Sequence, residues 1–113
     1  HPNYSEKSDP TNQIIMGHGV ALKSSASQRY VSDSAASAVN MALARKNGIK
    51  VQRQVNRSGM AGGQTLGPIA SSYLPVRAVD MGIPILAMHS AVELGSADDY
   101  AQLEGICAAV MGV

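Results

Sequence analysis

Two segments of the chain carry small and apolar residues at helical spacing. The first lies between the capping candidates at 32–34 and Gly48, where a left-handed residue would end a helix. The second follows Ser96, which with Asp99 resembles a capping box. Its apolar stripe consists of Tyr100, Leu103, Ile106, Cys107, Val110 and Met111. We therefore expect two helices, with Cys107 as a small apolar residue of the core.

Strand patterns lie between and before these helices. A short apolar run at 20–24 suggests one strand. The alternation of apolar and polar residues over 49–56 predicts another strand with one solvent-exposed face, near a sheet edge. Two further apolar runs, 76–81 and 83–88, suit buried strands separated by a turn. Residues 1–19 have the composition of a loop. The alternation of strands and helices predicts an α/β fold.

A glycine-rich segment, 58–68, follows the second strand, and a short helix ending at Tyr73 follows the segment. Its backbone is free to approach a ligand closely, and Gly62 to Pro68 could offer N–H donors to a carboxylate or oxyanion. A tight turn without a ligand is the alternative. Ligands of open α/β sheets gather at the carboxyl ends of strands, so we expect function at 56–65 and 88–93.

Composition narrows the class of protein. The 113 residues fit one domain or a piece of one, and 45% apolar content can build a core. A net charge of +1 and 4% aromatic residues argue against nucleic acid as a partner. Cys107 is the single cysteine, which excludes an intrachain disulfide and favours a reducing, cytoplasmic location. No run approaches the roughly 20 apolar residues of a membrane span, so no membrane partner is expected.

Three side chains stand out as candidates for chemistry, each with an alternative. His89 follows an apolar run and could be a metal ligand held by a strand end, or a buried structural histidine. No second histidine or cysteine accompanies it at metal-ligand spacing. Lys23 and Tyr30 flank a stretch of small residues and could bind an anionic group, or the lysine could simply be solvated.

Six segments, in order and over nearly the whole chain, resemble the last quarter of the aspartyl aminopeptidase family of dizinc, vacuolar aminopeptidase-like enzymes. They are residues 1–4 (His-Pro-Asn-Tyr) with Glu6 and Lys7, 20–23 (Val-Ala-Leu-Lys) running into 28–30 (Gln-Arg-Tyr), 56–58 (Asn-Arg-Ser), 62–69 (Gly-Gly-Gln-Thr-Leu-Gly-Pro-Ile), 79–84 (Val-Asp-Met-Gly-Ile-Pro) and 88–90 (Met-His-Ser). The chain departs from the family pattern at Gly59, Ala61, Gln64 and Val92.

The resemblance implies specific roles. His89 matches a zinc ligand of the family, whose complete enzymes hold two zinc ions per subunit. The residues that match substrate-binding positions are Lys23, Tyr30, Gly62, Gly63 and Thr65. The implied fold is part of an α/β/α sandwich of the zinc-peptidase (phosphorylase/hydrolase-like) type. The implied activity is hydrolysis of peptides at acidic N-terminal residues by a homo-oligomer, a tetrahedral dodecamer.

The resemblance also implies that residues 1–113 are the C-terminal fragment of a catalytic metallopeptidase domain. The inserted dimerisation domain of the family is absent, and the remaining zinc ligands and the catalytic Glu lie upstream of His1. No catalytic residue is therefore expected in this chain, which should be inactive alone.

Two alternatives remain open at this stage. A related family of tetrahedral dizinc aminopeptidases with broader specificity has its last ligand in a His-Ser-x-x-Glu setting, which residues 89–93 resemble. The His-Pro-Asn start and the Gly-Gly-Gln-Thr loop favour the aspartyl family. The other alternative is a non-catalytic α/β interaction module.

Overall fold

The computed structural model of the protein describes residues 1–60 and 62–113, so the family departure at Ala61 lies outside the described residues. After a short 3₁₀ helix at Pro2–Lys7, the elements are β1 (Val20–Ser24), α1 (Ser34–Lys46), β2 (Val51–Val55), α2 (Leu66–Tyr73), β3 (Met81–Gly82), β4 (Ile85–Leu86), β5 (Leu94–Gly95) and α3 (Ala97–Met111). This mixed order confirms the predicted α/β fold. The 3₁₀ helix replaces part of the expected loop because the His1 Nδ1 atom accepts the Asn3 N–H.

The main sheet has three strands in the order β2-β1-β3. β1 pairs in parallel with β2 from Val20 opposite Val51 to Ser24 opposite Val55, and β3 pairs antiparallel on its other side. The edge position predicted for the second strand is confirmed. Because β1 is central, its first three residues are buried, and its carboxyl end lies beside that of β2.

The core forms where two helices cross the start of β1. Asp33 caps α1 by accepting the Ala36 N–H at 2.6 Å, and the chain leaves the helix through Gly48 at φ +68°. The core consists of the buried side chains of Val20, Ala44 and Ile106, which pack together and so join β1, α1 and α3. The two predicted helices are therefore confirmed, and both are anchored to the strand that leads toward Lys23.

The capping box expected at the start of α3 is wrong. Ser96 occupies the N-cap without a side-chain hydrogen bond, whereas Asp99 is fully buried and accepts the N–H groups of Gly17 and Gly19 at 2.6 and 2.7 Å. A buried carboxylate is stabilised by such charge-assisted bonds, so it turns to the distant loop rather than to its own helix. At Gly19, φ is +101° and an added Cβ would lie 2.2 Å from the Lys50 carbonyl oxygen.

The apolar stripe of α3 is also less buried than expected. Ile106 is fully buried, but Cys107 is exposed, which corrects its assignment to the core. Tyr100, Val110 and Met111 are exposed as well, because α3 packs on α1 and β1 with only one side. None of the helices in the described ranges is both long enough and apolar enough to cross a bilayer.

The two long buried strands expected over 76–81 and 83–88 are wrong in extent. β3 and β4 have two residues each and are partly buried. β3 pairs with β1, whereas β4 leaves the main sheet to pair with β5, which the sequence pattern did not indicate. Pro84 lies between them and has no N–H for a continuous ladder. This break creates a separate hairpin, and His89 lies in its connecting loop.

Candidate functional site

Lys23 and Tyr30 meet beside the carboxyl end of β1. The Lys23 Nζ atom lies 5.5 Å from the centroid of the Tyr30 ring, within the range of a cation–π contact. Tyr30 is only 8% exposed, and its hydroxyl donates to the Asn56 Oδ1 atom at 3.4 Å. The partly buried lysine is thus held against an aromatic face, unlike a freely solvated strand-end residue.

The glycine-rich loop closes on the same place. A Cβ added to Gly62 would lie 2.0 Å from Asn56 Nδ2, so the absence of a side chain permits this close approach. The Thr65 N–H donates to the Arg29 carbonyl at 3.4 Å, one residue before Tyr30. At Gly63, by contrast, no atom of the described residues beyond its two chain neighbours lies within 4 Å of an added Cβ. Of the five predicted substrate-binding residues, Lys23 and Gly62 therefore lie beside Tyr30, Thr65 is bonded to the residue before Tyr30, and Gly63 lies in the same loop.

Asp80 joins the segments that carry these residues. Its Oδ2 atom accepts the Val31 N–H at 2.6 Å and the Thr65 hydroxyl at 2.8 Å. Its carbonyl accepts the Lys23 N–H at 2.9 Å, and its own N–H donates to the Ser32 hydroxyl at 2.8 Å. Sequence reasoning did not identify Asp80 as a site residue. The only signal was its place in the Val-Asp-Met-Gly-Ile-Pro segment, which carried no assigned role.

A cleft rich in cationic and hydroxyl groups borders this cluster at the carboxyl ends of β1 and β2. It is lined by Ser25, Ser27, Arg29, Asn56, Arg57 and Gly62, among others, and no carboxylate of the described residues lines it. Both arginines are exposed. Arg29 and Arg57 therefore give the cleft positive charge that would attract a carboxylate, and the Arg57 guanidinium also donates to the Glu6 carbonyl.

His89 lies apart, in the loop 87–93 between β4 and β5. Its side chain is exposed, so the alternative of a buried structural histidine is wrong. Its backbone takes φ +68°, two residues after Ala87 at φ +57°, and both values are uncommon for residues with a Cβ. The His89 N–H donates to Glu93 Oε1 at 2.5 Å, and the Ser90 hydroxyl donates to the Val92 carbonyl. These local bonds fix a turn that carries the imidazole at its tip.

The resemblance predicts His89 as a zinc ligand, and its surroundings can be tested for fit to zinc. An exposed imidazole on a turn braced by hydrogen bonds is a suitable single ligand for zinc. Structural and catalytic zinc sites use three or four protein ligands, and the described part of the chain contains no group of three His, Cys, Asp or Glu residues that could hold a metal. The setting of His89 is therefore compatible with one ligand of a zinc site, whose other ligands would have to lie outside the described residues.

Comparisons with known proteins bear on this geometry. The model of the family described as Aminopeptidase I zinc metalloprotease (M18) matches residues 1–107. A Clostridium novyi protein named probable M18 family aminopeptidase 2 is 52% identical over 100 residues, covering 88% of this chain and 23% of that protein. A Ricinus communis protein named probable aspartyl aminopeptidase is 40% identical over 99 residues, covering 88% of this chain and 20% of that protein.

The fold is shared with a solved member of the same group. The structure of the Saccharomyces cerevisiae mApe1 dodecamer superposes with a TM-score of 0.78 at 25% identity, over 99% of this chain and 24% of the yeast chain. The chain thus spans about a quarter of the length of the relatives that it matches. Because the family model covers nearly all of its residues, the chain belongs to the M18 family of zinc metalloproteases.

Proposed function

We propose that residues 1–113 are the C-terminal portion of the catalytic domain of an M18 aminopeptidase, which removes acidic N-terminal residues from peptides. The observation that carries this proposal is the Lys23–Tyr30 pair, held beside the glycine-rich loop and a cationic cleft. On this proposal, the inserted dimerisation domain and the general base belong to other parts of the enzyme. The family's name as a zinc metalloprotease supports zinc as its metal.

His89 is the residue of this chain that would hold zinc, as one ligand of a site with two zinc ions per subunit. When bound, zinc lowers the pKa of a coordinated water and stabilises developing negative charge on a carbonyl oxygen. The contribution of the protein here is positional. The bond from the His89 N–H to Glu93 sets the direction in which the imidazole leaves the turn.

Lys23 is the proposed counter-charge for the side-chain carboxylate of the substrate. Its ammonium is partly shielded by the Tyr30 ring, which strengthens attraction to a carboxylate compared with a fully exposed lysine. The open backbone at Gly63 and the hydroxyl of Thr65 lie at the loop where the peptide would pass. Together these groups would orient the N-terminal residue of the peptide.

The proposal is tested with Lys23→Ala in the full-length enzyme. We expect kcat/KM for an aspartyl substrate to fall roughly 30-fold relative to a leucyl substrate, because removing one partner of a partly desolvated charge pair costs about 2 kcal/mol. The control is Lys46→Ala, which removes an exposed lysine from the end of α1 and should change neither rate. An unchanged ratio between the two substrates would contradict the acidic preference and indicate broader specificity within the M18 family.

The same enzyme preparation tests assembly and metal content. We propose a homo-oligomer with the tetrahedral arrangement of a dodecamer, supported by the dodecamer structure of the yeast relative. We also propose a cytoplasmic location, on the basis of the single cysteine. Light scattering of the full-length protein should give a particle of twelve subunits, and metal analysis should give two zinc ions per subunit. A wild-type protein without zinc or peptidase activity would favour the interaction module.

A further inference from the structure

We infer that Asp80 is a positioning residue that fixes the Thr65 hydroxyl as a hydrogen-bond acceptor for an N–H group of the peptide substrate. The inference rests on the proposed function and adds a role for a residue that does not itself touch substrate. It also specifies the chemistry at Thr65, since the ligand atom there must be a donor. A backbone amide or an N-terminal ammonium of the peptide fits this requirement.

The hydrogen bond between Thr65 and Asp80 can have only one direction. A carboxylate oxygen accepts hydrogen bonds and has no proton to give, so the Thr65 hydroxyl must be the donor in its 2.8 Å contact with Asp80 Oδ2. A threonine hydroxyl has one proton and two lone pairs. With the proton committed to Asp80, the hydroxyl presents only lone pairs to other groups. Thr65 is therefore set as an acceptor before any ligand arrives.

The position of the carboxylate is itself fixed from several directions. The same Oδ2 atom accepts the Val31 N–H at 2.6 Å. The backbone of Asp80 is tied on both sides, because its N–H donates to Ser32 and its carbonyl accepts from Lys23. Asp80 can therefore move only if the strand carrying Lys23 or the segment after Tyr30 moves too. Such an arrangement holds the substrate-facing groups in one geometry.

Packing against α2 adds a third constraint. A Cβ added to Gly67 would lie 2.8 Å from Asp80 Oδ2 and 2.6 Å from the Val31 Cγ1 atom. The first turn of α2 thus sits directly on the carboxylate and the side chain beside it. This contact limits the space into which the Thr65 hydroxyl or the Asp80 carboxylate could rotate.

A double-mutant cycle in the full-length enzyme tests the inference. The variants are Thr65→Val, Asp80→Ala and the double variant, with kcat and KM measured on an aspartyl peptide substrate. We expect each single variant to raise KM about fivefold to tenfold, which corresponds to the loss of one hydrogen bond. The KM of the double variant should be no higher than that of either single variant. The two residues would then act as one unit.

Two further variants separate positioning from general stability. Asp80→Asn keeps a neutral acceptor oxygen and should recover most of the KM, and it replaces Asp80→Ala if that variant does not fold. Asp99→Asn alters a buried carboxylate that also accepts two N–H groups, but outside this cluster. It should lower the unfolding midpoint without raising KM.

The outcomes distinguish this inference from the function on which it rests. If the wild-type enzyme turns over and the KM effects of Thr65→Val and Asp80→Ala multiply, the inference is wrong and the proposed function stands. An unchanged KM in folded Asp80→Ala together with an unchanged KM in Thr65→Val overturns the inference in the same way. A wild-type enzyme without peptidase activity removes the proposed function and this inference together.

Discussion

The cluster around Lys23 and the hairpin around His89 are built in opposite ways. In the first, a central strand, a capped helix and a glycine-rich loop converge, and Asp80 bonds to the segments that carry the proposed substrate-binding residues. In the second, two strands of two residues support a loop whose internal bonds are all local. The comparison shows that the segments around Lys23 are held by long-range hydrogen bonds, whereas the loop around His89 is held by local ones.

The difference extends to the backbone. Ala87 and His89 both take positive φ, and a residue with a Cβ held there costs of order 1–3 kcal/mol, which surrounding structure must offset. Around Lys23 the non-glycine residue with positive φ is Gln28, in the exposed loop that follows β1. A strained turn with few supporting contacts is what we expect of a metal-ligating residue whose position becomes fixed only when the metal binds. A bound zinc would stabilise that turn because metal binding favours the conformation that offers the ligand.

The largest effect is expected from His89→Ala in the full-length enzyme. The change removes the proposed zinc ligand at an exposed position where no packing is lost. Zinc content and turnover should therefore fall together, and the unfolding midpoint of the zinc-free protein should hardly change. The matched control is His18→Ala, which removes another exposed histidine. Two zinc ions per subunit and wild-type rates in His89→Ala would show that the ligand assignment is wrong.

A smaller effect is expected from Gly67→Ala, which tests the rigidity of the Lys23 cluster. The added methyl would overlap the Asp80 carboxylate and the Val31 side chain, and overpacking of this kind costs about 1–3 kcal/mol of the free energy of unfolding. Gly63→Ala is the control, since no described atom lies within 4 Å of its added Cβ. We expect a lower midpoint in thermal unfolding for the first variant only. Equal unfolding midpoints in the two variants would mean that the residues around Asp80 can rearrange to accommodate the added methyl group.

Sequence patterns predicted most of the elements, and they failed where distant segments of the chain meet. Lys23 and Tyr30 could be predicted from a matched motif, but the role of Asp80 depends on a bond to Val31, 49 positions away in the chain. Asp99 shows the same limit, because local spacing suggested a cap and its actual partner Gly19 is 80 positions away. Periodicity reports which residues share a face, whereas such bonds depend on tertiary geometry.

The smallest expected effect concerns the backbone of the His89 hairpin. Ala87→Gly should stabilise the loop by about 0.5–1 kcal/mol. Glycine has no Cβ and adopts φ +57° without steric strain, and the strain relieved should exceed the entropic cost of ordering a glycine. Ala91→Gly is the control in the same loop, where φ is not positive, and the added chain freedom should destabilise it by a similar amount. Hydrogen exchange of the amides over residues 85–95 in the full-length protein measures both local opening free energies. The sign of the change should therefore reverse between two alanines four residues apart. Destabilisation by both substitutions would show that the turn at Ala87 carries no strain. The Lys23 cluster and the His89 hairpin would then differ only in their number of contacts.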